Sequence, residues 1–221
     1  PINNKVYCAN YNSNNMTVID GATNSVITTI TVGGFPCALV YNSISNKVYA
    51  ANALSYTVTI IDGATNTVIT TIAAGNYPQA LVYNPTNNKV YCANSWSDDV
   101  MVIDGVTDSV ITTINVGDYP HGFVYNATDN KVYCANSGSG NVAVIDGATN
   151  GVITTIAVGS YPCALVYNPT NNKVYCANRI SDNVTVIDGA TNSVITTIAV
   201  GSYPCALVYN PTNNKVYCAN E

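Results

Sequence analysis

The sequence predicts an all-β fold, a five-bladed β-propeller of 42-residue, four-stranded blades, on three observations. The segment Asn-Lys-Val-Tyr returns at Asn4, Asn46, Asn88, Asn130, Asn172 and Asn214, a constant step of 42 residues without insertion or deletion. Each period is dense in β-branched residues and carries no apolar stripe of helical spacing. Turn chemistry falls at the same places in every period. Periods of about 40 to 45 residues with strand content belong to propeller blades, small sheets that cannot bury both faces alone.

Four antiparallel strands follow in order within one period. Residues 161–168 (YPCALVYN) are an apolar run, strand A, and Pro169, Thr170, Asn171 and Asn172 supply a turn. Residues 173–178 (KVYCAN) resume strand composition as strand B, which closes a hairpin. After a short variable loop, residues 184–188 (VTVID) alternate as strand C and reach Asp188-Gly189, which opens a longer turn. Residues 193–200 (SVITTIAV), β-branched almost throughout, form strand D. The chain reads as one propeller domain over 1–221, with repeats starting at Lys5, Lys47, Lys89, Lys131 and Lys173 and a partial sixth at Lys215.

The strand count does not close evenly. There are six B strands and five of each other kind. The blade completed from both ends takes C and D from the N-terminal residues and A from residues 205–210, and its strand B comes from residues 5–10 or from 215–220. The spare strand either frays, as terminal segments commonly do, or is donated to a neighbouring subunit by β-augmentation. Head-to-tail donation builds a filament or array rather than a closed dimer.

Composition narrows the function classes. The 221 residues are 48% hydrophobic and 9% charged, with a net charge of -5. Disorder requires low hydrophobicity with high net charge, and nucleic-acid binding requires a basic surface, so neither is expected. All six lysines sit at the repeat position, and Arg179 alone breaks that pattern. No apolar run approaches the roughly 18 residues of a membrane span. The chain opens at Pro1 without a basic or apolar leader, which reads as a mature form or an excised fragment.

Residues 175–178 (YCAN), 186–192 (VIDGATN) and 200–204 (VGSYP) together resemble the YVTN β-propeller repeat of surface-layer and other extracellular proteins. The resemblance covers the whole chain. It implies an extracellular or cell-surface location and a structural, adhesive or binding role; assembly into homo-oligomers is what donation of the spare strand would add. Two departures stand out: the second motif position is Cys or Ala where Val is usual, and about five blades replace the usual seven.

Differences among the copies locate candidate binding residues. The A–B turn and the C–D turn barely change, whereas the B–C segments (11–15, 53–57, 95–99, 137–141, 179–183) change in every copy and the D–A segments also vary. In an up-and-down blade these two variable connections emerge on one face, and variable loops on a constant scaffold are where binding residues are carried. Residues 89–130 depart most, with the only Trp, the only His, and five of the six Asp outside the repeated Val-Ile-Asp. Candidate ligand residues are Trp96, Asp98, Asp99, Asp118, Tyr119, Arg179 and Tyr56. An aromatic ring beside carboxylates suits a glycan or a hard cation such as calcium; a protein ligand is the other expectation.

The eight cysteines occupy two repeat positions, one opening strand A and one in strand B. Folding the hairpin about its turn sets Cys163 opposite Cys176 and Cys205 opposite Cys218, at about 4.5 to 5.5 Å between Cβ atoms and slightly beyond disulfide comfort. These are the disulfide candidates. The competing account makes most cysteines small buried hydrophobes. Near the central channel the copies read Cys37, Gln79, His121, Cys163 and Cys205, soft ligands that suit zinc or copper if they converge.

No nucleophile elbow, zinc-protease, P-loop or dinucleotide motif occurs. Glu221 is the only Glu, which excludes a paired-glutamate site. An enzymatic reading therefore rests on a hydrolase of esterase or lactonase type with His121 as base, Asp118 beside it and Cys163 as nucleophile. Three Asn-x-Thr sequons, at Asn15, Asn126 and Asn183, permit glycosylation in a secretory setting. The sequence thus favours a non-enzymatic extracellular propeller, self-assembling or ligand-binding, with no resident cofactor.

Overall fold

The computed structural model describes residues 4–221. The chain divides into two compact units, Pro1–Thr113 and Ile114–Glu221. In the first, β1 (Lys5–Asn10), β2 (Asn15–Asp20) and β3 (Val26–Thr31) form a three-stranded sheet. A complete blade follows in β4 (Pro36–Asn42), β5 (Lys47–Asn52), β6 (Thr57–Asp62) and β7 (Val68–Ala73). The next comprises β8 (Pro78–Asn84), β9 (Lys89–Asn94), β10 (Asp99–Asp104) and β11 (Val110–Asn115), the last carrying the chain past the boundary.

The second unit repeats the plan. Its blades are β12 (Pro120–Asn126), β13 (Lys131–Asn136), β14 (Asn141–Asp146) and β15 (Val152–Ala157), then β16 (Pro162–Asn168), β17 (Lys173–Asn178), β18 (Asn183–Asp188) and β19 (Val194–Ala199). A hairpin of β20 (Pro204–Asn210) and β21 (Lys215–Asn220) ends it. The A-B-C-D order is the one expected, and the sheets are those of a five-bladed propeller: four complete blades and five further strands in two partial ones. The A strands are innermost within each unit, β4 lying against β8, and β16 against both β12 and β20.

Both candidates for the spare B strand are paired, each in its own partial sheet. β21 pairs with β20 through Tyr209↔Val216 and Leu207↔Cys218, so residues 215–220 hold the B position there. β1 pairs with β2 from Lys5↔Asp20 to Asn10↔Asn15. Both strands lack the cover that interior B strands have: Val6 is 55% exposed, whereas its counterpart Val90 is fully buried.

Apolar side chains of successive blades interdigitate. Tyr49, Val58 and Ile60 pack with Val90, Cys92, Met101 and Ile103 in the first unit. Tyr133, Val142, Val144 and Ile156 pack with Val174, Cys176 and Ile187 in the second. Cys92, Cys134 and Cys176 are buried as small hydrophobes of this kind. All eight thiols are free. The expected disulfide register does not form, because Cys163 falls in a β-bulge between Pro162 and Ala164 and Cys176 faces Leu165 instead. Cys205 is likewise displaced, leaving Leu207 opposite Cys218. Proline cannot donate to the ladder, so a bulge at its strand entry is where pairing gives way.

The constant turns carry the bonds between blades, which explains why they do not vary. Asn126 Nδ2 donates to Asn172 Oδ1 at 3.0 Å and Asn168 Nδ2 to Asn214 Oδ1 at 2.9 Å, while their own Oδ1 atoms accept Thr128 and Thr170 N–H groups. Asn126 is fully buried in this role, which removes it as a glycosylation acceptor. The repeat lysine reaches the next blade's C–D turn: Lys131 Nζ donates to Gly189 O, Ala190 O and Asn192 Oδ1 at 2.7, 3.0 and 3.1 Å. In each of these turns the aspartate of strand C accepts two backbone N–H groups, as Asp188 does from Ala190 and Thr191.

Candidate functional site

The opposite end of each blade carries the variable B–C and D–A connections, and its backbone is held by a device common to all copies. The D–A loop ends in an aromatic residue before proline: Phe35, Tyr77, Tyr119, Tyr161 and Tyr203, each with φ between 52° and 57°. A bulky side chain in this left-handed region is an outlier that costs about 1–3 kcal/mol and persists only where its surroundings over-determine it. Here the aromatic carbonyl accepts an N–H from the following B–C loop, as Tyr77 O does from Ser95 and Tyr161 O from Arg179. The residue before it donates its N–H to a serine of the same loop: Gly34 to Ser55, Asn76 to Ser97, Asp118 to Ser139 and Ser160 to Ser181, at 2.5 to 2.7 Å.

In the first unit this frame presents four linked rings. Tyr77 and Trp96 stack with centroids 4.5 Å apart and planes 15° off parallel. Tyr11 meets Phe35 edge-on at 4.3 Å. The Tyr11 and Tyr77 hydroxyls are hydrogen-bonded, which with burial holds the Tyr77 phenol above its ordinary pKa. Trp96 is 51% exposed and Tyr11 43%. Tyr56, also exposed, carries the same left-handed backbone as Asp98 in the next blade.

The acidic candidates divide by role. Asp99 is half-buried and accepts Asn94 Nδ2 at 2.6 Å, as Asn141 does from Asn136 and Asn183 from Asn178, so it is a strand-entry brace. Burial holds its carboxyl above the usual range, against the Asn94 bond. Asp108, on the constant turns, takes Lys47 Nζ at 2.7 Å and the Tyr49 hydroxyl at 2.9 Å.

In the second unit, Asp118 and Tyr119 are exposed on the loop face. Arg179 is bound to Glu221 at 2.6 Å and lies 5.7 Å from the centroid of the Tyr203 ring. His121 is hydrogen-bonded to the Cys163 backbone; burial first, and then the Arg179 charge, lower its pKa. Its Nδ1 is buried without a partner. The Cys163 thiol donates to Pro204 O at 3.3 Å and Ala177 O at 3.7 Å, and burial raises its pKa. Cys37 repeats this geometry on Pro78 O at 3.3 Å, with its pKa pushed up to about 11. A catalytic thiol needs a lowered pKa and a base within reach; these thiols are instead protonated donors to backbone carbonyls. Among the described residues no group of three His, Cys, Asp or Glu side chains is arranged to hold a metal.

Sequence reasoning singled out Trp96, Tyr56 and Tyr119 but missed the repeated aromatic-proline pair and the serine clamp. Both were visible as constant residues within otherwise changing loops: Ser13, Ser55, Ser97, Ser139 and Ser181 recur at the repeat spacing.

Residues 35–123 match the family described as YNCE-like beta-propeller, in agreement with the YVTN-type repeat that the motifs resemble. No curated protein matches the chain. Among solved structures, the chain is similar to a functionally unknown protein from Desulfotomaculum acetoxidans DSM 771, with a TM-score of 0.86, 13% identity, and coverage of 99% of this chain and 73% of that one. A chain of a Mitotic Checkpoint Complex structure gives 0.86 at 14% identity, covering 99% and 67%. Kuenenia stuttgartiensis hydrazine synthase gives 0.66 at 15% identity, covering 99% and 92%. At these identities the likeness is one of fold alone.

Proposed function

We propose that the chain is a non-catalytic binding propeller of the cell surface or extracellular space, whose loop face takes a glycan on the rings of Tyr11, Tyr77 and Trp96. The observation that carries this reading is the aromatic residue held in left-handed backbone at every D–A loop. Strain kept in every copy is strain retained for what it displays, and it displays rings. An exposed, weakly charged aromatic surface suits the C–H face of a sugar better than a charged protein patch. A weakly charged, Asn- and Thr-rich exterior fits extracellular use. The hydrolase reading loses its support in the thiol geometry, and Asp118 gives His121 no orienting bond.

The test is binding of the full chain to immobilised polysaccharides, with Trp96→Ala as the variant. Retained fold with at least about tenfold weaker binding supports the platform. Equal binding by both proteins, or binding only to protein ligands, overturns it.

A second reading, self-association, is favoured by the identity of β1 and β21, both Lys-Val-Tyr-Cys-Ala-Asn. β21 of one copy can offer β2 of another the six pairs that β1 makes. Hairpin β20–β21 then completes a blade across two copies, head to tail. Native mass spectrometry without reductant is expected to show a ladder of subunits that disappears when residues 214–221 are removed. A monomer at all concentrations overturns it.

A further inference from the structure

We propose that a cleft on the loop face of the second unit is a separate binding site for a single neutral sugar ring. The proposal rests on the reading that the loop face binds ligands, and its location, shape and chemistry are distinct from those of the Trp96 platform. At the second position of the B–C connection the repeats carry Asn12, Leu54, Trp96, Gly138 and Ile180. Leu54, Trp96 and Ile180 stand 45–58% exposed above their loops. The backbone there does not change with the side chain: Leu54, Trp96, Gly138 and Ile180 donate their N–H to Gly34, Asn76, Asp118 and Ser160 carbonyls at 3.0 to 3.2 Å. The fourth copy therefore keeps the loop path and deletes the side chain.

Gly140 extends the same deletion. Its φ is +62°, but Asn14, Tyr56, Asp98 and Asp182 hold the equivalent position at +51° to +56°. Backbone conformation is thus not what requires glycine here; an open space is what glycine leaves. On this part of the loop face lies a cleft of about 410 Å³, bounded by residues 137–140, Ser160, Tyr161 and Ile180. That volume lies within the range of about 300–1,000 Å³ typical of small-molecule sites.

The lining selects the ligand. It contains no charged side chain, so an ionised ligand would lose hydration without gaining a partner. Tyr161 offers a ring 40% exposed, fixed by its left-handed backbone, and Ile180 faces the cleft as an aliphatic wall. Ser137 is spent on the structure, donating to Pro162 O at 2.7 Å. Ser139 Oγ accepts the Asp118 N–H, which leaves its hydroxyl proton to donate. One ring, one aliphatic wall and hydroxyls at the rim match a pyranose, with its apolar C–H face and equatorial hydroxyls.

The experiment is saturation-transfer NMR on the full chain with free glucose, galactose, mannose and N-acetylglucosamine, and glucuronic acid as the charged control. Tyr161→Ala removes the ring of the cleft and Ile180→Ala its aliphatic wall, neither adding bulk. The expected result is transfer to at least one neutral sugar, at least about tenfold weaker in each of these variants, and retained in Trp96→Ala. The proposal is overturned if no neutral sugar shows transfer, if glucuronic acid binds equally well, or if transfer survives both cleft variants. Transfer lost in Trp96→Ala but kept in the cleft variants would leave the platform standing and sink the cleft.

Discussion

The hydroxyl of Ser97 accepts the backbone N–H of Asn76 at 2.6 Å, across 21 residues of chain. This bond joins the two variable loops beside the Tyr77–Trp96 stack, so a residue outside the stack sets its posture.

Ser97→Ala is therefore expected to cost about 1 kcal/mol of stability, the usual worth of one hydrogen bond. Its effect on polysaccharide binding should be larger than that loss implies, because Tyr77 relaxes from its left-handed backbone. Trp96 is the sole tryptophan, so denaturation followed by its fluorescence reports on this loop directly. Stability and binding both unchanged would dismiss the clamp.

Lys47 and Asp108 form a largely buried ion pair in the first unit, at 2.7 Å. Asp108→Asn reproduces what other copies use, since Lys5 and Lys131 donate to Asn66 and Asn192; a loss of no more than about 1 kcal/mol is expected. Lys47→Met strands the Asp108 carboxylate and should cost several times more, about 3–5 kcal/mol at most. Thermal denaturation of the two variants side by side checks the order, and the reverse order would refute it.

His121 is the only histidine and its folded pKa lies below its ordinary value, through burial and the nearby Arg179 charge. The unfolded chain then binds the proton more readily, so this contribution to stability is fully present above about pH 6.5 and is lost as pH falls toward the folded pKa. Melting temperature measured from mildly alkaline to mildly acidic pH should fall through this window in the parent chain and less so in His121→Gln. Parallel curves would mean that the imidazole titrates as in the unfolded chain.

The thiols sort by position. Cys92, Cys134 and Cys176 are buried between sheets with their pKa raised by desolvation, whereas Cys8 is exposed on β1. Maleimide is expected to label Cys8 early and the three buried thiols only on unfolding. Mass spectrometry of digested, labelled protein reads this residue by residue. Early labelling of Cys134 would show that the inter-sheet core opens locally.

The blades were legible because a single period fixed four strands at once, and residues such as Asp188-Gly189 marked their turns. The hairpin register was not, since it depends on a bulge at Cys163 that arises only when Pro162 enters the ladder. Asp99 read as a ligand because its acidity differs from Asn141 and Asn183, yet it fills the same hydrogen-bonding place. The cleft was hidden for a different reason: Ser-Gly-Ser-Gly is written in the sequence, but its walls, Tyr161 and Ile180, come from the following D–A and B–C loops.

Both partners of each stitch at the constant turns, Lys131 with Asn192 or Asn126 with Asn172, are drawn from positions that every repeat contains, Asp108 alone standing for the turn asparagine. A duplicated repeat therefore arrives with both halves of its docking surfaces already made. Unequal recombination can lengthen or shorten such an array without compensating substitutions, while the loops at the other end are free to diverge. The fold supplies its own raw material for new specificities, one module at a time.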